Sequence, residues 1–399
     1  MFTFGKGGPN YPAGPNPYNG QPLRVNPNYR YFTPGAAFAP SAEEMNYIFA
    51  GFTDAAAAGA ISAGASWSVA TPLVGSMTNF TGGQFDPIKK QWLLAFTTAG
   101  GDDVVTSAGF GDADYGSSSS VSGASSTGFR ITDCLFDGTH YFAACAAGGN
   151  LNIARCSPGG AWSVVFTDST QLWADAQIRI VGASIVVYAI STTVMSAFYS
   201  AVGGGAGGSW TSVLMASQAG ANIFSASNGN LTVVFPDVTA PLTYVTSSAV
   251  GVYSGHLSSG FLTHGTETPK GLAYSPADGV FVLNTVSGVD LKVYTYNSVD
   301  GVTWSQVGAF SSSSGWARGL GATAAGCLVA LWGDPATSGD RVIYSTDAGA
   351  TWHPTSVLLA NPGSTITQPK VIASSTGFWA MNNAGSRFSE NSGLSPALT

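Results

Sequence analysis

Charge is what this sequence most lacks. Asp, Glu, Lys and Arg together are 9% of its 399 residues. Long surface helices need charged wet faces, so helical bundles and helical repeats are excluded. The formal net charge of −7 leaves no broad basic surface, and duplex nucleic acid is not an expected ligand. No uninterrupted apolar run reaches ~18 residues, so no membrane span is expected. The start, MFTFGKGGPN, has no basic region followed by an apolar run, and no signal peptide is expected. Cysteine is scarce. Cys134, Cys145, Cys156 and Cys327 form no close metal-ligand pair, and they read as small buried hydrophobes of a reducing compartment. His140, His256, His264 and His353 are scattered without metal spacing. No Gly-x-Ser-x-Gly elbow, phosphate loop or Cys/His pair is present, so no cofactor, metal or catalytic group is expected.

What the sequence has is glycine, 52 residues of it, and a repeat. Five tryptophans follow a glycine-containing turn: Trp67, Trp162, Trp210, Trp304 and Trp352. Their spacings are 95, 48, 94 and 48 residues. The long gaps are double periods, which places degenerate copies at Tyr115 and around Tyr253 and His256. An independent pattern keeps the same phase. GQFDPIKKQWLLAF, CLFDGTHYFAAC, RIVGASIVVYAI, FSASNGNLTVVF, LAYSPADGVFVLN, GATAAGCLVALW and IASSTGFWAMN each read as strand, polar turn, strand. A third strand follows each hairpin, and the tryptophan turn leads to a fourth. Four short strands per ~45 residues is a propeller blade. The expected fold is an all-β propeller of seven blades over residues 66–399. The strand after Trp67 is expected to close the last blade, pairing near Arg387–Ser389, so that no sheet edge is left open.

A family resemblance rests on the turns. STDAGATW, with Ser345, Asp347, Gly349, Thr351 and Trp352, resembles the Asp-box or BNR repeat, S-x-D-x-G-x-T-W. SVDGVTW, with Ser298, Asp300 and Trp304, resembles a version one residue shorter, and SENSGLS at 389–395 a third copy. The Asp can bond its own turn, Gly accepts φ > 0, and the aromatic buries beside the next strand. The resemblance implies a structural turn between the third and fourth strands of a blade, away from any active site.

Residues 1–65 follow different rules. Eight of the 20 prolines lie in the first 40 residues, which makes an extended arm. The arm carries Tyr11, Tyr18, Tyr29, Tyr31 and Phe32, and aromatic-rich arms lie on other protein surfaces. A capping box at Ser41 and Glu44 then opens an expected helix over 41–52, with Met45, Ile48, Phe49 and Phe52 as an apolar stripe. YFTPGAAFAPSAEEMNYIFAGFTDAAAAGA resembles the attachment segments of tailed-bacteriophage tail and fibre proteins. That resemblance implies docking on other virion proteins through residues 1–60, in multiple copies, after synthesis in the host cytoplasm.

Arg130, Arg179, Lys270, Arg318 and Lys370 stand at or near the starts of the innermost strands, with Asn79 and Asn222 in the remaining blades. They are expected to ring one mouth of the channel, there to bind an anion or an acidic partner. Phe129–Thr132 resembles the Phe-Arg-Ile-Pro start of sialidases, with Thr132 in place of proline. That family needs an arginine triad, which Arg179 and Arg318 could complete, and a tyrosine–glutamate pair. Glu267 is the candidate base, and no tyrosine is indicated. Three functions are therefore carried forward. The first is a structural or adhesive virion protein that also meets a host surface glycan. The others are a glycan-cleaving propeller and an assembly factor for an acidic partner.

Overall fold

A computed structural model describes residues 68–69, 77–86, 91–98, 103–109, 119–120, 131–146, 149–158, 160–202, 209–311, 317–333, 339–360, 370–374, 377–382 and 385–390. The chain divides into two units, Met1–Asp54 and Ala55–Thr399. The expected arm, its aromatics and the helix over 41–52 lie outside the described residues, as do Tyr115 and most of the turn at 389–395.

The second unit is a β-propeller. In chain order, β1 (Ser68–Val69) is followed by the sheet β2 (Met77–Asp86), β3 (Gln91–Thr98), β4 (Asp103–Gly109) and β5 (Ser119–Ser120). Next come β6 (Ile131–Phe136), β7 (Tyr141–Cys145), β8 (Gly149–Cys156), β9 (Ser163–Val181), β10 (Ser184–Ser191), β11 (Met195–Ala201) and β12 (Thr211–Ala216), all in one sheet. Its continuity comes from β9. The residues around Ser163–Asp168 pair with β8, while Asp175–Val181 pair with β10. Two sheets of four follow: β13 (Ile223–Ser227), β14 (Thr232–Pro236), β15 (Thr243–Ala249) and β16 (Val252–Leu257), then β17 (Glu267–Ser275), β18 (Val280–Ser287), β19 (Lys292–Ser298) and β20 (Ser305–Ser311). Then come β21 (Ala317–Ala322), β22 (Leu328–Gly333), β23 (Gly339–Ser345) and β24 (His353–Ala360). The final sheet has β25 (Lys370–Ala373), β26 (Gly377–Asn382) and β27 (Gly385–Glu390). All seven expected hairpins form, each joining the innermost strand of a sheet or half-sheet to its neighbour. The chain closes on itself as expected, because Ser68 pairs with Phe388 and Val69 with Arg387.

The innermost strands succeed one another around a channel, β2, β6, the second half of β9, β13, β17, β21 and β25, and β25 lies against β2. They approach closely. A Cβ on Gly82 would fall 2.1 Å from the carbonyl oxygen of Thr132, and one on Gly271 would fall 2.7 Å from Leu320 Cβ. Glycine is therefore required where these strands meet. The second strands are covered on both faces by neighbouring sheets, so they read as continuous β-branched and aromatic runs, such as SIVVYAIS in β10. The four cysteines are buried, and none is in a disulfide. Cys134, Cys145 and Cys156 sit on β6, β7 and β8.

Each of Trp162, Trp210, Trp304 and Trp352 immediately precedes an outer strand. Trp304 wedges between sheets, stacked on Phe261 at 5.6 Å and edge-on to Phe235 at 5.4 Å. Its turn is held by Asp300. Oδ1 accepts from the Ser298 hydroxyl (3.0 Å) and from the N–H groups of Val302 (2.8 Å) and Thr303 (2.6 Å), and Oδ2 accepts from the Thr303 hydroxyl (2.9 Å). Asp347 does the same for its turn. It accepts from the Ser345 hydroxyl (2.7 Å) and the Thr351 N–H (2.9 Å), with Gly349 at φ +87°. Burial pushes the Asp300 carboxyl up, but the four donors outweigh it and hold it down at about 2.

Candidate functional site at the central channel

Of the five expected cations, Arg179 lines the channel, and Lys270, Arg318 and Lys370 immediately precede Gly271, Gly319 and Val371 of its lining. The inner strands carry bulges at Ile131/Asp133, Pro269/Gly271 and Arg318/Leu320, and each bulge moves the register by one residue. Arg130, and the side chains of Arg318 and Lys370, lie outside the described residues, as does the side chain of Asn79.

Both cations whose side chains are described are ion-paired. Arg179 Nη1 meets Asp133 Oδ2 at 2.5 Å, and Lys270 Nζ meets Asp237 Oδ1 at 2.6 Å. Asp237 also accepts from Asn222 Nδ2 at 2.9 Å. Sequence reasoning missed these carboxylates. The available signal was Asp133 itself, one charge in the wholly buried strand ITDCLF.

Asp133 organises the wall. Its Oδ1 accepts from the Cys134 N–H (2.9 Å), and its Oδ2 accepts from Arg179 and from the Ile178 N–H of the next innermost strand (3.2 Å). Gln84 Nε2 donates to the same oxygen (3.2 Å) and to the Ile178 carbonyl. The device repeats one step around. Gln177 Oε1 accepts from Arg179 Nη2 (3.0 Å), the Ser225 N–H (2.8 Å) and the Ser225 hydroxyl (2.7 Å), while Asp175 accepts from the Ile223 N–H (3.0 Å). β6 is thus pinned to β9, and β9 to β13, by polar side chains accepting main-chain N–H groups. The opposite wall is made of Gly271, Leu272, Gly319, Leu320, Val371 and Ile372. Together the walls enclose about 100 Å³.

Glu267 lies elsewhere. It is fully buried at the start of β17 and does not line the channel. Tyr296 donates to both carboxylate oxygens (3.0 and 2.9 Å), the Thr285 hydroxyl donates at 2.6 Å, and the His264 N–H at 2.8 Å. Burial, then the charge of Glu267, pushes the Tyr296 hydroxyl well above the usual phenol range. The tyrosine–glutamate pair of the glycan-cleaving reading therefore exists, but it is sealed in a core where Tyr296 is 1% exposed.

No protein-family model matches this chain, and no curated protein matches it. Solved structures do. The Dos1 propeller covers 79% of this chain and 93% of its own, with a TM-score of 0.51 at 10% identity. The Pseudomonas aeruginosa periplasmic gluconolactonase PpgL covers 78% and 88%, with a TM-score of 0.53 at 12% identity. An oligogalacturonate lyase in complex with manganese covers 82% and 94%, with a TM-score of 0.52 at 11% identity. At these identities the likeness establishes the β-propeller fold and leaves the reaction open. It does overturn the expectation that this chain is no enzyme. Two of these three propellers are enzymes by name, so scarcity of familiar motifs on this architecture excludes no catalysis.

Proposed function

We propose that this chain is a tailed-bacteriophage virion protein whose seven-bladed Asp-box propeller meets the host surface while residues 1–60 hold it on the particle. The observation that carries the reading is the closure at Ser68–Val69. β1, the strand that completes the last sheet, begins after residue 65, and every described sheet is built from residues 68 onward. Five four-stranded sheets, together with a seven-stranded sheet that reads as two blades sharing β9, support the count of seven. The turns around Asp300 and Asp347 support the Asp-box assignment. The test removes residues 1–60. Retained folding with lost incorporation into particles is expected. Unchanged incorporation, or a propeller that no longer folds, overturns the reading. A second reading, a carbohydrate-acting enzyme, is favoured by the polar wall at Asp133, Gln177 and Arg179 and by the lyase and lactonase likenesses. Release of reducing ends from a panel of acidic and neutral oligosaccharides, lost in Arg179→Met, would establish it.

A further inference from the structure

We infer that the channel wall built by Asp133, Gln177 and Arg179 binds the hydroxyls of a neutral sugar, at the tip of a surface glycan, rather than an anion. The inference deepens the host-surface reading by naming its ligand class. Three observations carry it. The first is charge. Arg179 is already bonded to Asp133, with Asp175 on the same wall, so the described lining has two carboxylates to one guanidinium. An incoming anion would have to compete with Asp133 for Arg179. The second is open hydrogen-bonding capacity. Gln177 uses its carbonyl oxygen for Arg179 and Ser225, and its amide N–H groups have no protein acceptor among the described residues. Arg179 uses two Nη1 bonds and one Nη2 bond, which leaves its Nε–H and second Nη2–H open. The Asn222 side-chain carbonyl has no protein donor among the described residues. Donors and an acceptor thus stand side by side on a wall fixed from behind by main-chain N–H groups. The third is the facing wall of Leu272, Leu320, Val371 and Ile372, which suits the C–H face of a pyranose. About 100 Å³ is below the ~300–1,000 Å³ of a drug-sized pocket, so only a terminal sugar edge enters.

The test uses the full chain on an array of neutral and acidic glycans, followed by titration of the hits across ionic strength. Neutral glycans are expected to bind, with affinity nearly independent of salt. Gln177→Glu keeps the acceptor for Ser225 and removes the open N–H groups. It is expected to weaken neutral binding at least about tenfold while leaving the thermal midpoint little changed. Preferential, salt-sensitive binding of acidic glycans overturns the inference, as does binding to no glycan, and neither result needs a variant that folds. Neutral binding that survives Gln177→Glu places the site elsewhere and also overturns it. Deleting residues 1–60 keeps the two proposals separable. Sugar binding retained with incorporation unchanged removes only the particle reading.

Discussion

Two buried carboxylates in this propeller solve the same problem differently. Asp133, 4% exposed, is neutralised by a guanidinium and by main-chain donors from its own and the next innermost strand. Glu267, fully buried, has no cation among its described partners and relies on two hydroxyls and one N–H. A buried charge is tolerated only when its acceptor sites are filled. At Asp133 filling them faces a solvent-reaching channel, with Arg179 still 26% exposed. At Glu267 filling them ties the crossing from β16 into β17 onto β18 and β19. The difference teaches that burial and charge alone do not mark a site. Open hydrogen-bonding capacity on a reachable wall does.

The largest expected effect breaks the Glu267 side. Glu267→Ala strands the Tyr296 and Thr285 hydroxyls and the His264 N–H and leaves a cavity. Each stranded donor costs about 1–3 kcal/mol, partly offset by relief of a desolvated charge, so a loss of about 3 kcal/mol is expected in urea unfolding. A loss under about 1 kcal/mol would mean that water replaces the carboxylate. On the Asp133 side, Arg179→Met keeps the main-chain donors and some packing. Asp133 is buried but Arg179 is 26% exposed, so about 2 kcal/mol is expected, below the usual range for a fully buried pair.

Tyr296→Phe sharpens the comparison by leaving Glu267 with two donors. About 1 kcal/mol is expected at neutral pH. Its signature is alkaline. Burial, then Glu267, raises the Tyr296 hydroxyl, and burial holds Tyr188 and Tyr244 at about 12. A raised folded-state value favours the protonated form. This stability is fully present below the ordinary phenol value of 10 and is lost as pH rises toward 12. The wild type is expected to lose stability across that window, and Tyr296→Phe to lose less of it. Equal slopes in the two proteins would show that Tyr296 titrates alike folded and unfolded, so that its core does not raise it.

The hairpins were legible because their signals are local. FDGTHYF needs only a Gly turn between β-rich runs, and it forms with Gly138 at φ +98°. The closure was legible because the tryptophan phase runs one strand ahead of the hairpins. The continuous β9 was not, since nothing between Ser163 and Val181 states that two sheets share one strand. Nor were the bulges at Lys270 and Thr132, because they are set by how neighbouring strands meet. Asp133 lies 46 positions from Arg179 and Tyr296 29 positions from Glu267, and only the fold brings each pair together.

The smallest effect belongs to a third carboxylate, which is exposed. Asp300 fills its acceptor sites from its own turn, with the N–H groups of Val302 and Thr303 and the hydroxyls of Ser298 and Thr303. Burial is the largest single effect and raises it, but the four donors together outweigh burial and bring it to about 2 from 3.8. A depressed folded-state value contributes stability that is present above 3.8 and lost as pH falls through about 2. Solvent screens this contribution, so it is small at any pH. Asp300→Ala is expected to cost about 1 kcal/mol at pH 7, chiefly by freeing the turn that seats Trp304 against Phe235 and Phe261. Asp300→Asn keeps one acceptor oxygen and is expected to recover about half of that. Tryptophan fluorescence checks the cause. A red shift in Asp300→Ala but not in Asp300→Asn means that the turn holds the ring. No shift in either means that Trp304 is held by its aromatic neighbours alone, and the carboxylate then matters only to the loop.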